Sequence, residues 1–90
     1  MMIDLDDELA LFYKTIGKNV KKKREEKGIT QLELSQRMNL KSSGLISQSE
    51  LYIKKQHFNL KHLYLISAIL ECDIKSFLEN IKILPTDWEV

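Results

Sequence analysis

Residues Thr30–Glu50 read TQLELSQRMNLKSSGLISQSE. Thr30 followed three residues later by Glu33 is a capping-box signature, in which the threonine oxygen accepts a first-turn amide and the glutamate reaches back. Leu34 and Met38 lie four apart on one apolar stripe. Asn39 tolerates the left-handed conformation that ends a helix. Ser42 and Ser43 are then caps for a second helix, in which Ile46 points inward while Ser47 and Gln48 point out. The stretch therefore predicts two short helices, about Thr30–Met38 and Ser42–Tyr52, joined by a tight turn. A helix presenting hydroxyls and an amide, flanked by lysines, suits the major groove of DNA.

The surrounding sequence is also helical in pattern. Leu5, Leu9, Phe12, Ile16 and Val20 recur at one-turn spacing and predict a long amphipathic first helix, capped by Asp4 or Asp6 and stopped at Gly28. Gly17 inside it costs about 1 kcal/mol relative to alanine and permits a kink or break. Residues 53–58, IKKQHF, read as a mostly polar loop. Asn59 caps a fourth helix with Leu60, Leu63, Ile66, Ile69 and Leu70 on its buried face. Glu71 and Cys72 form a connection, and Asp73 caps a short fifth helix carrying Ile74, Phe77 and Leu78. The tail ILPTDWEV contains a helix-stopping proline and two large apolar groups, Trp88 and Val90. It predicts an extended segment docked on the body or offered to a partner. Five helices with short turns make a compact all-α bundle.

Composition narrows the function classes. Ninety residues make one small domain, and 43% apolar content suffices for a single core. The acidic amino end is unlike a secretory signal, and no apolar run approaches the ~20 residues of a membrane span. A lone cysteine, Cys72, excludes an internal disulfide and reads as a small core residue in a cytoplasmic protein. Net charge is only +1, but it is unevenly spread. Residues 1–13 carry Asp4, Asp6, Asp7 and Glu8 without a base, whereas residues 14–27 carry Lys14, Lys18, Lys21, Lys22, Lys23, Arg24 and Lys27 against two glutamates. That pattern fits a basic face, although the run at 14–27 taken alone reads first as a solvated helix whose charges suit its dipole. An enzyme is not expected. His57 and His62 lack further ligands at zinc spacing, Cys72 has no histidine partner nearby, and Gly44 stands alone instead of in a phosphate loop. No metal or cofactor is expected.

The ordered set Ile16, Gly17, Val20, Arg24, Gly28, Thr30-Gln31, Leu34-Ser35, Met38, Ile46-Ser47, Glu50, Leu60, Leu63, Ile66 and Leu70 resembles the Cro/CI-type (xenobiotic-response-element, XRE) helix-turn-helix domain of phage repressors and many bacterial regulators. The likeness covers about two thirds of the chain. It implies a five-helix, lambda-repressor-like domain over residues 16–80, with a helical extension at 1–15 and a tail at 81–90. It implies that Gln31 binds a backbone phosphate and braces the third helix. Ser43, Gly44, Ser47 and Gln48 would face the groove, with Gln48 reading a base. Lys54 and Lys55 would grip phosphates, joined by Lys41 at the other end, and Ser42 is a further candidate for groove contact. Arg24 and Glu50 would form an internal ion pair holding helix 1 to helix 3.

Three departures from the family stand out. The turn LKSSGL is one residue longer than usual, which leaves the register of Ser42, Ser43 and Gly44 open by one position. Tyr52 replaces a customary glycine. The first helix is extended by roughly a dozen residues. The function implied is a sequence-specific transcriptional regulator, a repressor acting as a homodimer on double-stranded DNA. The dimer would form through helix 5 and the tail, or through helix 1. The alternative is an antitoxin or other protein-interaction module that binds a partner through its extension or tail.

Overall fold

The first helix, α1 (Leu5–Glu26), runs unbroken through Gly17. Asp4 caps it, accepting the amides of Asp6 and Asp7 at 3.0 and 3.3 Å. Gly28, at φ +70°, turns the chain away. The computed structural model describes residues 4–82 and 84, and over them the chain is all-helical. The tail residues Trp88 and Val90 lie outside the described part.

The kink that Gly17 would permit does not form, because glycine has another use there. A Cβ on Gly17 would stand 2.4 Å from the Ser49 carbonyl oxygen and 2.8 Å from that of Glu50. The absence of a side chain lets α1 cross against the backbone of α3 (Gly44–Leu51).

Between them lies α2 (Gln31–Arg37). The Thr30 hydroxyl accepts the Glu33 amide at 3.0 Å, as the capping motif requires. The reciprocal half is replaced: the Glu33 carboxylate turns to Arg37, 3.5 Å away and one turn on. Asn39 adopts φ 60°, and the Leu40 amide returns to the Ser35 carbonyl, closing the helix end as expected. The Ser42 hydroxyl accepts the Gly44 amide at 3.3 Å, whereas Ser43, at the cap position of α3, makes no side-chain capping bond.

Asn59 caps α4 (Leu60–Leu70) in a reciprocal box with His62, which fills the place usually held by Glu or Gln. A 3-10 turn, Ile53–Lys55, lies in the segment read as a loop, and the expected fifth helix, Ile74–Leu78, is a 3-10 helix and not an α-helix. Its five residues are too few for the α pattern to propagate after Asp73 caps the Lys75 amide. Asn19 of α1 clamps it, donating to the carbonyl oxygens of Phe77 and Glu79 at 2.9 and 2.8 Å.

The core is Ile16, Val20, Leu34, Met38, Ile46, Phe58, Leu63, Ile66, Leu70 and Phe77. Phe58 is almost fully buried, so the segment read as a polar loop contributes a core anchor. Cys72 packs partly buried against this core. Leu60 departs from expectation: it opens α4 on its outward side, 79% exposed, with Tyr64 one turn later at 75%. Leu5 and Leu9 are also exposed. There the first turns of α1 form one wall of an apolar groove of about 250 Å³, with Phe12, Ile81 and Leu84 among its other lining residues. A Lys82–Glu8 ion pair at 2.8 Å spans it.

Candidate nucleic-acid interface

The three helices of the candidate site meet at one buried carboxylate. Arg24 donates from Nε to Glu50 Oε2 at 2.8 Å and from Nη2 to Oε1 at 2.9 Å, the two-pronged geometry that makes such pairs strong. Gln31 Nε2 donates to the same Oε1 at 2.8 Å. The remaining guanidinium nitrogen donates to the Ile29 carbonyl at 2.9 Å. Hydrogen bonding to Glu50 holds the Arg24 pKa above its ordinary value, outweighing the burial that would lower it. Both side chains are nearly sealed from water, at 8% and 0% exposure, so the pair behaves as a structural bolt between α1 and α3. Gln31 extends that bolt to α2.

The consequence for α3 is electrostatic. Its one carboxylate faces inward, neutralised by Arg24, and adds no charge to the outer surface. The inward face consists of Ile46, Ser49 and Glu50. At 3.6 residues per turn the opposite side carries Gly44, Gln48 and Leu51, with Ser47 at its flank. Ser47 and Gln48 are half-buried, less open than sequence reading expects. The Ser47 hydroxyl donates to the Gly44 carbonyl at 3.2 Å and retains its acceptor lone pairs for a ligand.

Gly44 differs from the other two glycines. Gly17 is imposed by a backbone crossing and Gly28 by positive φ, whereas a Cβ on Gly44 would meet only the Ser42 hydroxyl, at an ordinary 3.5 Å. Among the described residues nothing requires a glycine there. It leaves the start of α3 bare, which suits close approach by another molecule's surface.

Lysines stand at both ends of α3. Lys41 is exposed in the connection before it, and Lys54 and Lys55 are exposed after it. The chain turns sharply behind α3 through left-handed residues at Tyr52, Lys54 and Lys55, with φ of 57°, 55° and 61°. Such conformations cost non-glycine residues of order 1 kcal/mol or more each. Aromatic stacking offsets part of that cost: Tyr52 lies 5.9 Å from Tyr13, whose ring stacks on His57 at 3.8 Å. The Lys55 carbonyl is held by His57 Nδ1 at 3.0 Å. This stack, which sequence reasoning missed, fixes the lysine turn to α1 and helps hold Tyr52 in its left-handed conformation. Three rings spread over residues 13, 52 and 57 leave no local signal of their meeting.

Among the described residues no group of three or more His, Cys, Asp or Glu side chains is placed to hold a metal ion. No helix of the described residues is long and apolar enough to cross a membrane. No family model, no curated protein and no solved structure matches this chain.

Proposed function

We propose that this protein is a sequence-specific DNA-binding transcriptional regulator, a helix-turn-helix repressor that reads the major groove with α3 as a homodimer. The observation that carries the reading is the division of α3 into two faces. Its acid is buried against Arg24, while glycine, amide and hydroxyl groups occupy the outer side between lysines at both ends. Eight residues at 1.5 Å rise span about 12 Å, the width of the major groove. Lys41 at one end and Lys54 and Lys55 at the other can then reach phosphates on either side of that groove. Gln48 offers adenine a paired donor and acceptor. One such helix reads only a half-site, and two copies about 34 Å apart supply useful affinity. The likeness of the span from Ile16 to Leu78 to the Cro/CI-type domain, carried by the matching positions named above, supports the same reading.

Selection of bound duplexes from a random pool, followed by titration in salt, tests the proposal. Wild-type protein is expected to enrich a two-fold symmetric sequence. Gln48→Ala relaxes the preference at one position per half-site. Lys54→Ala with Lys55→Ala weakens binding to all sequences and reduces the salt slope by about 0.9 per lost phosphate contact. Absence of any duplex retention at low salt would refute the proposal.

One observation favours the second reading, an antitoxin-like module. The groove along Leu5, Leu9 and Phe12 leaves apolar surface open at the extension, away from α3. On that reading Leu5→Glu with Leu9→Glu abolishes partner capture while leaving DNA retention intact.

A further inference from the structure

Leu51 is an apolar side chain on the face proposed for the groove. It ends α3, follows Gln48 by three residues, and is 60% exposed while its neighbours Ser49 and Glu50 are sealed. Residues three apart on a helix are adjacent on its surface. A leucine side chain therefore stands beside the Gln48 amide, and the bare Gly44 lies one turn before Gln48 on the same side. Exposure at this level means the fold gains little from it. An exposed isobutyl group on a face otherwise built of glycine, hydroxyl and amide has a matching partner in the major groove, where thymine alone among the four DNA bases carries a methyl group.

We propose that Leu51 is a specificity-determining residue that packs on the C5 methyl of a thymine neighbouring the base pair read by Gln48. The inference rests on the reading of α3 as the groove helix and sharpens it from an amide-reading surface to a paired amide-and-methyl code. The methyl contact adds discrimination that a lone glutamine lacks, since Gln48 reports adenine and Leu51 reports the adjacent thymine. Removing one buried methyl is expected to weaken binding about fourfold, from roughly 0.8 kcal/mol per carbon buried.

The test uses the full chain and the duplex it selects. Each thymine is replaced in turn by deoxyuridine, which deletes the methyl and preserves base pairing, and dissociation constants are read by fluorescence anisotropy. With wild-type protein, one thymine per half-site, next to the Gln48-dependent position, shows a loss of about fourfold. Leu51→Ala weakens binding to the thymine duplex and is insensitive to that replacement, while Leu51→Met keeps the sensitivity. Unchanged circular dichroism melting of both variants is expected from the exposure of the site. Equal uracil penalties in wild type and Leu51→Ala, or no penalty at any thymine, overturn the role of Leu51 while leaving DNA binding standing. A wild-type protein that selects no duplex overturns the groove reading itself and this inference with it.

Discussion

Replacing Gly17 with alanine sets two effects of opposite sign against each other. Gly17 lies in the interior of the 22-residue α1, where alanine is intrinsically better by about 1 kcal/mol. Against that stands the crossing with α3. The added Cβ would lie 2.4 Å from the Ser49 carbonyl oxygen and 2.8 Å from the Glu50 carbonyl oxygen. Ordinary van der Waals contact of a Cβ begins at 3.4 Å, so α1 and α3 must separate by roughly 1 Å. Backbone atoms cannot rotate aside as a side chain could, and α3 is pinned by Ile46 and by the Arg24–Glu50 pair. Overpacking of this kind costs about 1–3 kcal/mol, and opening the seal around a buried ion pair adds to it. The expected net is destabilisation of about 1–2 kcal/mol, which for a domain of this size lowers Tm by roughly 5–15 °C. Urea unfolding followed by circular dichroism at 222 nm measures it, with the m-value unchanged. A Gly17→Ala protein that is more stable by about 1 kcal/mol would show that helix propensity governs this position and that the close crossing is not present in solution.

The buried pair and the histidine box give further expectations. Glu50→Ala strands the Arg24 guanidinium and is expected to cost about 3–5 kcal/mol, whereas the double change Arg24→Met with Glu50→Leu recovers most of the loss; chemical denaturation of both variants checks this. His62 accepts the Asn59 amide through Nδ1 at 3.1 Å, which requires that nitrogen to be unprotonated. Burial, then the charge of Lys61, then His57 hold its pKa below the ordinary 6.5. Below pH 6.5 the unfolded chain takes up the proton first, so the stability contributed by neutral His62 is whole above that pH. It declines as pH falls toward the depressed folded-state value and is then constant. Thermal melts between pH 7.5 and 5 should show this decline in wild type and a shallower one in His62→Gln, which keeps an acceptor but does not titrate. Equal slopes would remove His62 from the account.

Much of the fold is legible in the sequence because it rests on local chemistry. Asp4, Thr30, Asn59 and Asp73 each accept an amide of the first turn of the helix they precede, and Gly28 and Asn39 take the left-handed exits expected of them. Periodicity fails where a residue's duty is set by a distant partner. Gly17 reads as a weak point and is a contact surface, because only the three-dimensional crossing reveals the α3 backbone against it. Leu60 matches the apolar spacing of α4 but falls on its outer side. Phe58 sits in a polar run yet fills the core. Of the candidate site, the Arg24–Glu50 pair is brought together as the resemblance implied. Gln31 is drawn onto Glu50 as well, so its bracing contact is visible in the chain itself. Ser42 performs the backbone bond that its sequence position shared with Ser43.

The Gly17 departure has its origin in how α3 is held. Its inward face is one apolar residue, Ile46, together with Ser49 and Glu50, and the Ser49 hydroxyl is buried without a hydrogen-bond partner among the described residues. A helix so weakly amphipathic cannot be docked by hydrophobic burial alone, and Ile46 by itself is too little to hold its inner side. Two devices replace the missing apolar stripe: backbone contact through Gly17 and the two-pronged bond from Arg24. Both act on the inner side and near the carboxyl end of the helix. The outer residues Gly44, Gln48 and Leu51 are therefore released from stabilising duty, and their identities can be set by whatever they touch. It follows that substitutions on this face should alter binding with little change in melting temperature. Substitutions at Gly17, Arg24 or Glu50 should do the reverse, lowering stability first and affecting recognition only as α3 shifts. A face whose variants lost stability and binding together would mean that the outer residues are part of the packing after all, and that α3 has no free side to offer.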